Sequence, residues 1–164
     1  MNEAHMHLMV NHLPVVFPIF SILLMLFGFV LKSEPFKRAA YLIFIFGAFT
    51  TLSAMITGEG AEEIIENIDR NTPLYIHNHE ETAEVFALLS YVLGVLSFIG
   101  IWGSYRGKNW SKTFSIITLL FSLVVVFFAS ETATSGGRIQ HTEIRNGHPD
   151  AQIGIQDAKR DNQN

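Results

Sequence analysis

The chain has 164 residues, is 49% hydrophobic and carries a formal net charge of −4, with a mean hydropathy of +0.29. It has no cysteine, which excludes disulfides, thiolate zinc sites, iron–sulfur ligation and covalent c-type haem attachment by this chain. Leu13–Leu31, Ala39–Thr57, Val85–Ser104 and Thr113–Ser130 hold no charged residue. A run of about 18 or more such residues matches a hydrocarbon layer of about 30 Å. Four such runs use up the room for a second soluble domain and predict an all-α, four-helix transmembrane bundle of up-down-up-down order.

The first span is expected over about residues 10–31. Asn11 is placed to cap it, and Pro14 lies in its first turn, where a missing N–H is harmless. Pro18 sits deeper and predicts a kink. The run lacks a basic n-region and is long for a secretory h-region, so it reads as a retained span. The connection Lys32–Arg38 holds three basic residues and one acidic.

The second span is expected over 39–57. Thr57-Gly58-Glu59-Gly60 predicts a break or bend, followed by an amphipathic extension with Ala61, Ile64, Ile65 and Ile68 on one face. Asn71–His77 predicts a turn, and Asn78 with Glu81 resembles a capping pair for a third span over 80–104. Between Gly58 and Glu84 there are eight acidic residues and one basic, Arg70. The connection Tyr105–Lys112 has three basic residues and no acidic one. Ser111 is placed to cap a fourth span over 112–133, and Gly136-Gly137 predicts its stop. The stretch Arg138–Arg145 is expected to return over the bundle mouth. Residues 1–145 form the membrane domain, and 146–164 read as a polar, extended or disordered tail.

Two short basic connections and an acidic long one set the orientation. The positive-inside rule puts the basic connections in the cytoplasm and both termini outside, in the periplasm of a bacterial inner membrane. Trp102, Tyr105 and Trp110 fit the inner aromatic belt. All seven histidines then fall on the outer side: His5, His7, His12, His77, His79, His141 and His148.

Imidazoles and carboxylates on one face suggest a site, because these groups ligate borderline metals and imidazole ligates b-type haem. The first and third helices are diagonal in such a bundle. Their starts carry His12 and His79, which predicts these two as axial ligands of one haem b, with His141 as substitute. Gly58 and Gly60 offer low-bulk walls, and Arg138 a partner for propionates. The same end also suits a bare zinc or non-haem iron ion held by His12, Glu59, Glu62, His79 and His141. His5, His7 and His148 read as tail residues, and Glu63, Glu66 and Glu84 as solvated faces. A third expectation is a cofactor-free structural subunit.

No P-loop, dinucleotide fingerprint or nucleophile elbow occurs. No acid or base lies mid-span, against ion transport, and the acidic surface argues against nucleic acid. The oligomeric state is left open.

The segments NHLPVVFPIF, TGEGAEE, HNHEETAEVFALLSY and GGRIQHTEI resemble uncharacterised four-helix bacterial membrane proteins. More distantly they resemble a domain family of unknown function, some of whose members are fused to Rieske iron–sulfur domains. That resemblance spans roughly the first 145 residues and matches His12, Gly58, Glu59, His79, Gly136, Gly137 and His141. It implies electron transfer within a respiratory or redox membrane complex, with haem as the cofactor. A topology reporter checks the orientation: fused at Lys108 it should report the cytoplasm, and a periplasmic signal there would reverse the assignment.

Overall fold

The computed structural model describes residues 3–65 and 72–145. They form five α-helices and one short 3₁₀ turn: α1 (Glu3–Val10), α2 (Leu13–Val30), α3 (Glu34–Ile65), α4 (Thr72–Tyr105), α5 (Ser111–Gln140) and Thr142–Arg145. Four helical stretches are each long and apolar enough to cross a membrane. The charge-free runs within them mark the crossing segments.

α2, α3, α4 and α5 form a closed ring in which each packs on the next and α5 returns to α2. α2 and α4 therefore stand on one diagonal, and α3 and α5 on the other. The outward faces are rich in large apolar side chains, among them Phe20, Phe27, Phe46, Phe49, Leu88, Val95, Phe98, Leu120 and Phe127. A band of this kind suits lipid, not water. The inward faces meet at a core of Met25, Ala40, Tyr41, Phe44, Phe86, Leu93, Val125 and Ala129.

Several boundaries differ from expectation. α3 runs through Gly58 and Gly60 to Ile65 without a break. Tertiary packing outweighs the cost of about 1 kcal/mol that glycine adds to a helix. Ala61 is buried, as the amphipathic reading requires; Glu66, Ile68 and the start of the Asn71–His77 turn lie outside the described residues. α4 begins at Thr72, not near Asn78, with Pro73 in the first turn where proline is tolerated. α5 passes through Gly136-Gly137 to Gln140. The first-span cap is His12, with no side-chain cap bond, in place of Asn11. Trp110 precedes α5, so Ser111 is its first residue and not its cap. Residues 3–10, read as tail, form α1, which lies along α3. The tail from Asn146, with His148, is outside the described residues.

Small residues let the helices approach closely, as in other bilayer proteins where no hydrophobic force draws helices together. A Cβ at Gly94 would lie 2.8 Å from the Ala48 Cβ, and one at Gly100 would collide with the Tyr41 ring. That ring reaches across the bundle, and its hydroxyl donates to Ser115 Oγ at 3.0 Å. Thr51 and Ser90 hydroxyls meet at 2.9 Å between α3 and α4.

The other end is basic and aromatic. Arg38 donates to Ser104 Oγ at 2.9 Å and lies over the Tyr105 ring at 4.1 Å. Lys37 pairs with Glu34, whose other oxygen accepts from Ser104 at 2.8 Å. Trp102 and Trp110 pack with ring centroids 6.3 Å apart. Gly107, at φ +59°, turns the chain between α4 and α5, a conformation that glycine adopts at little cost.

Gly100→Ala should lower the melting temperature in detergent, because overpacking of this kind costs about 1–3 kcal/mol of stability. Gly58→Ala is the contrast. Its Cβ would sit 3.5 Å from the His7 ring, ordinary contact, so this variant should melt no lower than wild type.

Candidate cofactor site at the histidine end

His7 is half-buried, on the face of α1 turned to α3. Its Nδ1 lies 3.1 Å from the Ala54 carbonyl oxygen and 3.2 Å from Thr57 Oγ1. A carbonyl only accepts, so neutral His7 carries its proton on Nδ1 and donates it there. Nε2 then keeps its lone pair. Thr57 itself donates to the Ser53 carbonyl at 2.9 Å. Gly58 leaves the backbone of α3 open beneath the ring.

His79 projects from α4 toward α5. Its Nδ1 lies 3.0 Å from Ser135 Oγ, and Ser135 donates to the Thr132 carbonyl at 2.9 Å. With that hydroxyl proton so engaged, Ser135 can accept from Nδ1–H, in the tautomer that leaves the lone pair on Nε2. Thr82 Oγ1 joins Ser135 at 2.8 Å, and Thr132 donates to the Thr82 carbonyl at 3.1 Å. Gly136 makes room for the ring: a Cβ there would stand 3.0 Å from His79 Cε1. Gly137 similarly admits Ile144, whose Cδ1 would lie 3.2 Å from an added Cβ. The pair of glycines is a packing surface and not a helix stop.

Both imidazoles lie beyond the charge-free spans, and burial disfavours the charged form of each. Burial pushes His7 below the ordinary imidazole range, and the Ala54 carbonyl partly opposes this. Burial pushes His79 down too, and the charge His7 would carry pushes it further, against a pull from the Thr132 carbonyl. The two rings thus share one electrostatic neighbourhood. Across the α3–α4 side, Glu62 and Glu80 share a hydrogen bond that raises the Glu62 carboxyl above its usual range.

The remaining residues are placed differently. His12 is exposed at the start of α2, outside the inward stripe that holds Pro14, Pro18 and Ser21. Glu59 is exposed. His141 is exposed at the C-cap of α5, where its N–H bonds the Gly137 carbonyl. His77 is exposed and 3.5 Å from Glu81. Arg138 is half-buried. Arg145 donates to the carbonyls of Arg138 and Ile139, each at 2.7 Å, and stacks on Tyr75 at 4.2 Å. Arg138 itself still lies in α5, and only Thr142–Arg145 turns back toward the start of α4. Among the described residues, no three His, Asp or Glu side chains gather as a metal-binding group. The set His12, Glu59, Glu62, His79 and His141 is not brought together.

His7 was hidden because a short N-terminal segment with no cap signal reads as a tail. The one available clue was apolar continuity, since Met6, Leu8, Met9 and Val10 surround it. Ser135, Thr82 and Thr132 carry no motif at all; only burial reveals them.

Fold and mouth together define a multi-pass membrane protein, a four-helix bundle with two half-buried imidazoles set into one end. Residues 4–143 match the family described as predicted membrane protein (DUF2231), and the chain belongs to that family. No curated protein and no solved structure matches it.

The histidine shifts set a pH dependence. In the unfolded chain both imidazoles titrate near about 6.5. Their folded values are lower, so below that pH the unfolded chain takes up protons that the folded chain refuses. Stability present above about pH 6.5 is then lost as pH falls through the folded values. Glu62 works in the opposite sense, in the carboxylate range further down. The melting temperature should fall between about pH 7.5 and 5.5, and the fall should shrink in His7→Gln/His79→Gln. An unchanged slope in the double variant would remove these two groups as its cause.

Proposed function

We propose that the protein is a redox subunit of the bacterial inner membrane that binds one b-type haem at its histidine end, where His7 and His79 would hold it. It passes electrons between a membrane donor and an external carrier, as part of a respiratory or redox complex. The uneven distribution of Lys and Arg supports placing that end, with both termini, in the periplasm.

One observation carries the reading. Two half-buried imidazoles at one mouth each have Nδ1 within hydrogen-bond distance of the polypeptide, the arrangement that offers Nε2 to a ligand. Ligating histidines are held in this way, with the second nitrogen fixing tautomer and orientation. Haem iron needs two protein ligands in a bis-imidazole site. Zinc needs three or four from the protein, which favours haem over a bare ion. The haem would supply one-electron chemistry. Gly58 and Gly136 keep the flanking backbone low, and Arg138 stands near enough in sequence to the mouth to serve a propionate. The core below is filled by Phe86, Val125 and Ala129, so the group would sit at the mouth and not mid-membrane.

A second reading is favoured by the same bonds: His7 clasps α1 to α3 and His79 clasps α4 to α5, so the pair could close the bundle end in a cofactor-free subunit. Absorbance and metal analysis on purified full-length protein separate the readings. Haem binding predicts a Soret band that is lost in His7→Ala and in His79→Ala and kept in His12→Ala. Zinc or iron without porphyrin would favour the bare-ion site. Neither porphyrin nor metal in protein purified from haem-replete cells would leave the structural reading.

A further inference from the structure

The inward face of α4 carries serine at every seventh position: Ser90, Ser97 and Ser104 are all buried. Ser90 meets Thr51, and Ser104 meets Arg38 and Glu34. Ser97, between them, is fully buried and its hydroxyl has no hydrogen-bond partner. Ser21 on α2 is in the same state.

The helix register puts these two orphans at one level. Gly47 packs on Pro18, with a Cβ-to-Cδ distance of 3.7 Å, and Gly94 packs on Ala48. Residues 18, 47 and 94 are therefore level. Three residues toward the basic end come Ser21, Phe44 and Ser97. Tyr41 packs on Gly100 and bonds Ser115, which aligns the antiparallel α5. By that alignment Thr118 is level with Ser97, and Ser122 lies one turn beyond. Both are fully buried. Each has already spent its proton on its own helix: Thr118 donates to the Phe114 carbonyl at 2.9 Å, and Ser122 to the Leu119 carbonyl at 2.7 Å. Their oxygens can still accept.

The layer thus offers two unspent donors, on diagonal helices, and two acceptors on the helix between them. Water is the molecule with the complementary need, accepting two hydrogen bonds and donating two. Buried waters take two to four such partners, and a hydroxyl buried in an apolar interior without a partner is unfavourable. Ser21 lies near the middle of the Leu13–Leu31 run, so this layer is at mid-membrane.

We propose that the bundle holds an internal water site at mid-membrane, formed by Ser21 and Ser97 as donors and Thr118 and Ser122 as acceptors. The site is separate from the histidine end and does not depend on what binds there. It is closed toward that end by Phe86, Val125 and Ala129. On the basic side it continues through Tyr41 and Ser115 to Ser111, whose buried hydroxyl is also unpartnered.

Millisecond X-ray radiolysis with mass spectrometry reads such a site, because ionised bound water oxidises its neighbours where they stand. Met25 is fully buried and one turn from Ser21. In the full-length protein in detergent, Met25 should be oxidised, and the rate should fall several-fold in Ser21→Ala/Ser97→Ala. Where the double variant does not fold, Ser97→Ala alone provides the comparison. No oxidation of Met25 in wild type, or a rate unchanged by the substitutions in folded protein, would overturn the proposal.

Discussion

In a bilayer the solvent is as apolar as leucine, so burying a leucine against another helix brings little. Cohesion must come from close backbone approach and from hydrogen bonds between helices, and α4 is where both concentrate. Its glycines bring Ala48, Tyr41 and Trp110 against its backbone. Its serines and threonines reach α3 through Thr51 and Arg38, and α5 through Ser135 and Thr132. α3 and α5 are held in place by α4, and α2 and α1 are held in turn by α3. Exchanging these polar contacts for apolar ones of equal volume would keep a hydrophobic helix but lose the register that aligns the two ends.

That division explains what the sequence conveys. Spans are written in composition, since eighteen or more residues without a charge have few other uses, and Leu13–Leu31 or Val85–Ser104 can be read directly. Helix ends are written in short-range signals, and these misled wherever a packed partner offered more than the local preference. Gly58, Gly60, Gly136 and Gly137 look like breaks when each is considered alone. In the bundle Gly136 and Gly137 are where the His79 ring and Ile144 come too close to leave room for a Cβ, and Gly58 and Gly60 lie inside an unbroken α3. Likewise Asn11 and Ser111 have good capping chemistry, but the backbone enters α2 and α5 one residue away from where that chemistry would serve.

The candidate site was half legible. His79 stands out as a histidine at the entrance of an apolar run, and its placement against Gly136 joins two segments far apart in sequence. His12 has the same local appearance and points elsewhere, because Pro14, Pro18 and Ser21 fix the inward stripe of α2 and His12 is not on it. The histidine that does turn inward, His7, does so through a helix that leans on α3. No periodicity in eight residues could specify that lean; the Ala54 carbonyl and the Thr57 hydroxyl hold the His7 ring there.

α3, α4 and α5 are 32, 34 and 30 residues long, or roughly 45–51 Å at 1.5 Å per residue, against about 30 Å of hydrocarbon. The surplus lies mostly at the histidine end, where His79 stands six residues before the charge-free run beginning at Val85, a rise of roughly 9 Å. A charge that arrives at or leaves this mouth from the adjoining water therefore crosses little of the membrane's electric field. Moving an elementary charge through the full field is worth about 2.3 kcal/mol per 100 mV, and this end of the bundle is largely spared that term. Protonation of the two imidazoles answers to pH, salt and near neighbours, and little to the energised state of the membrane.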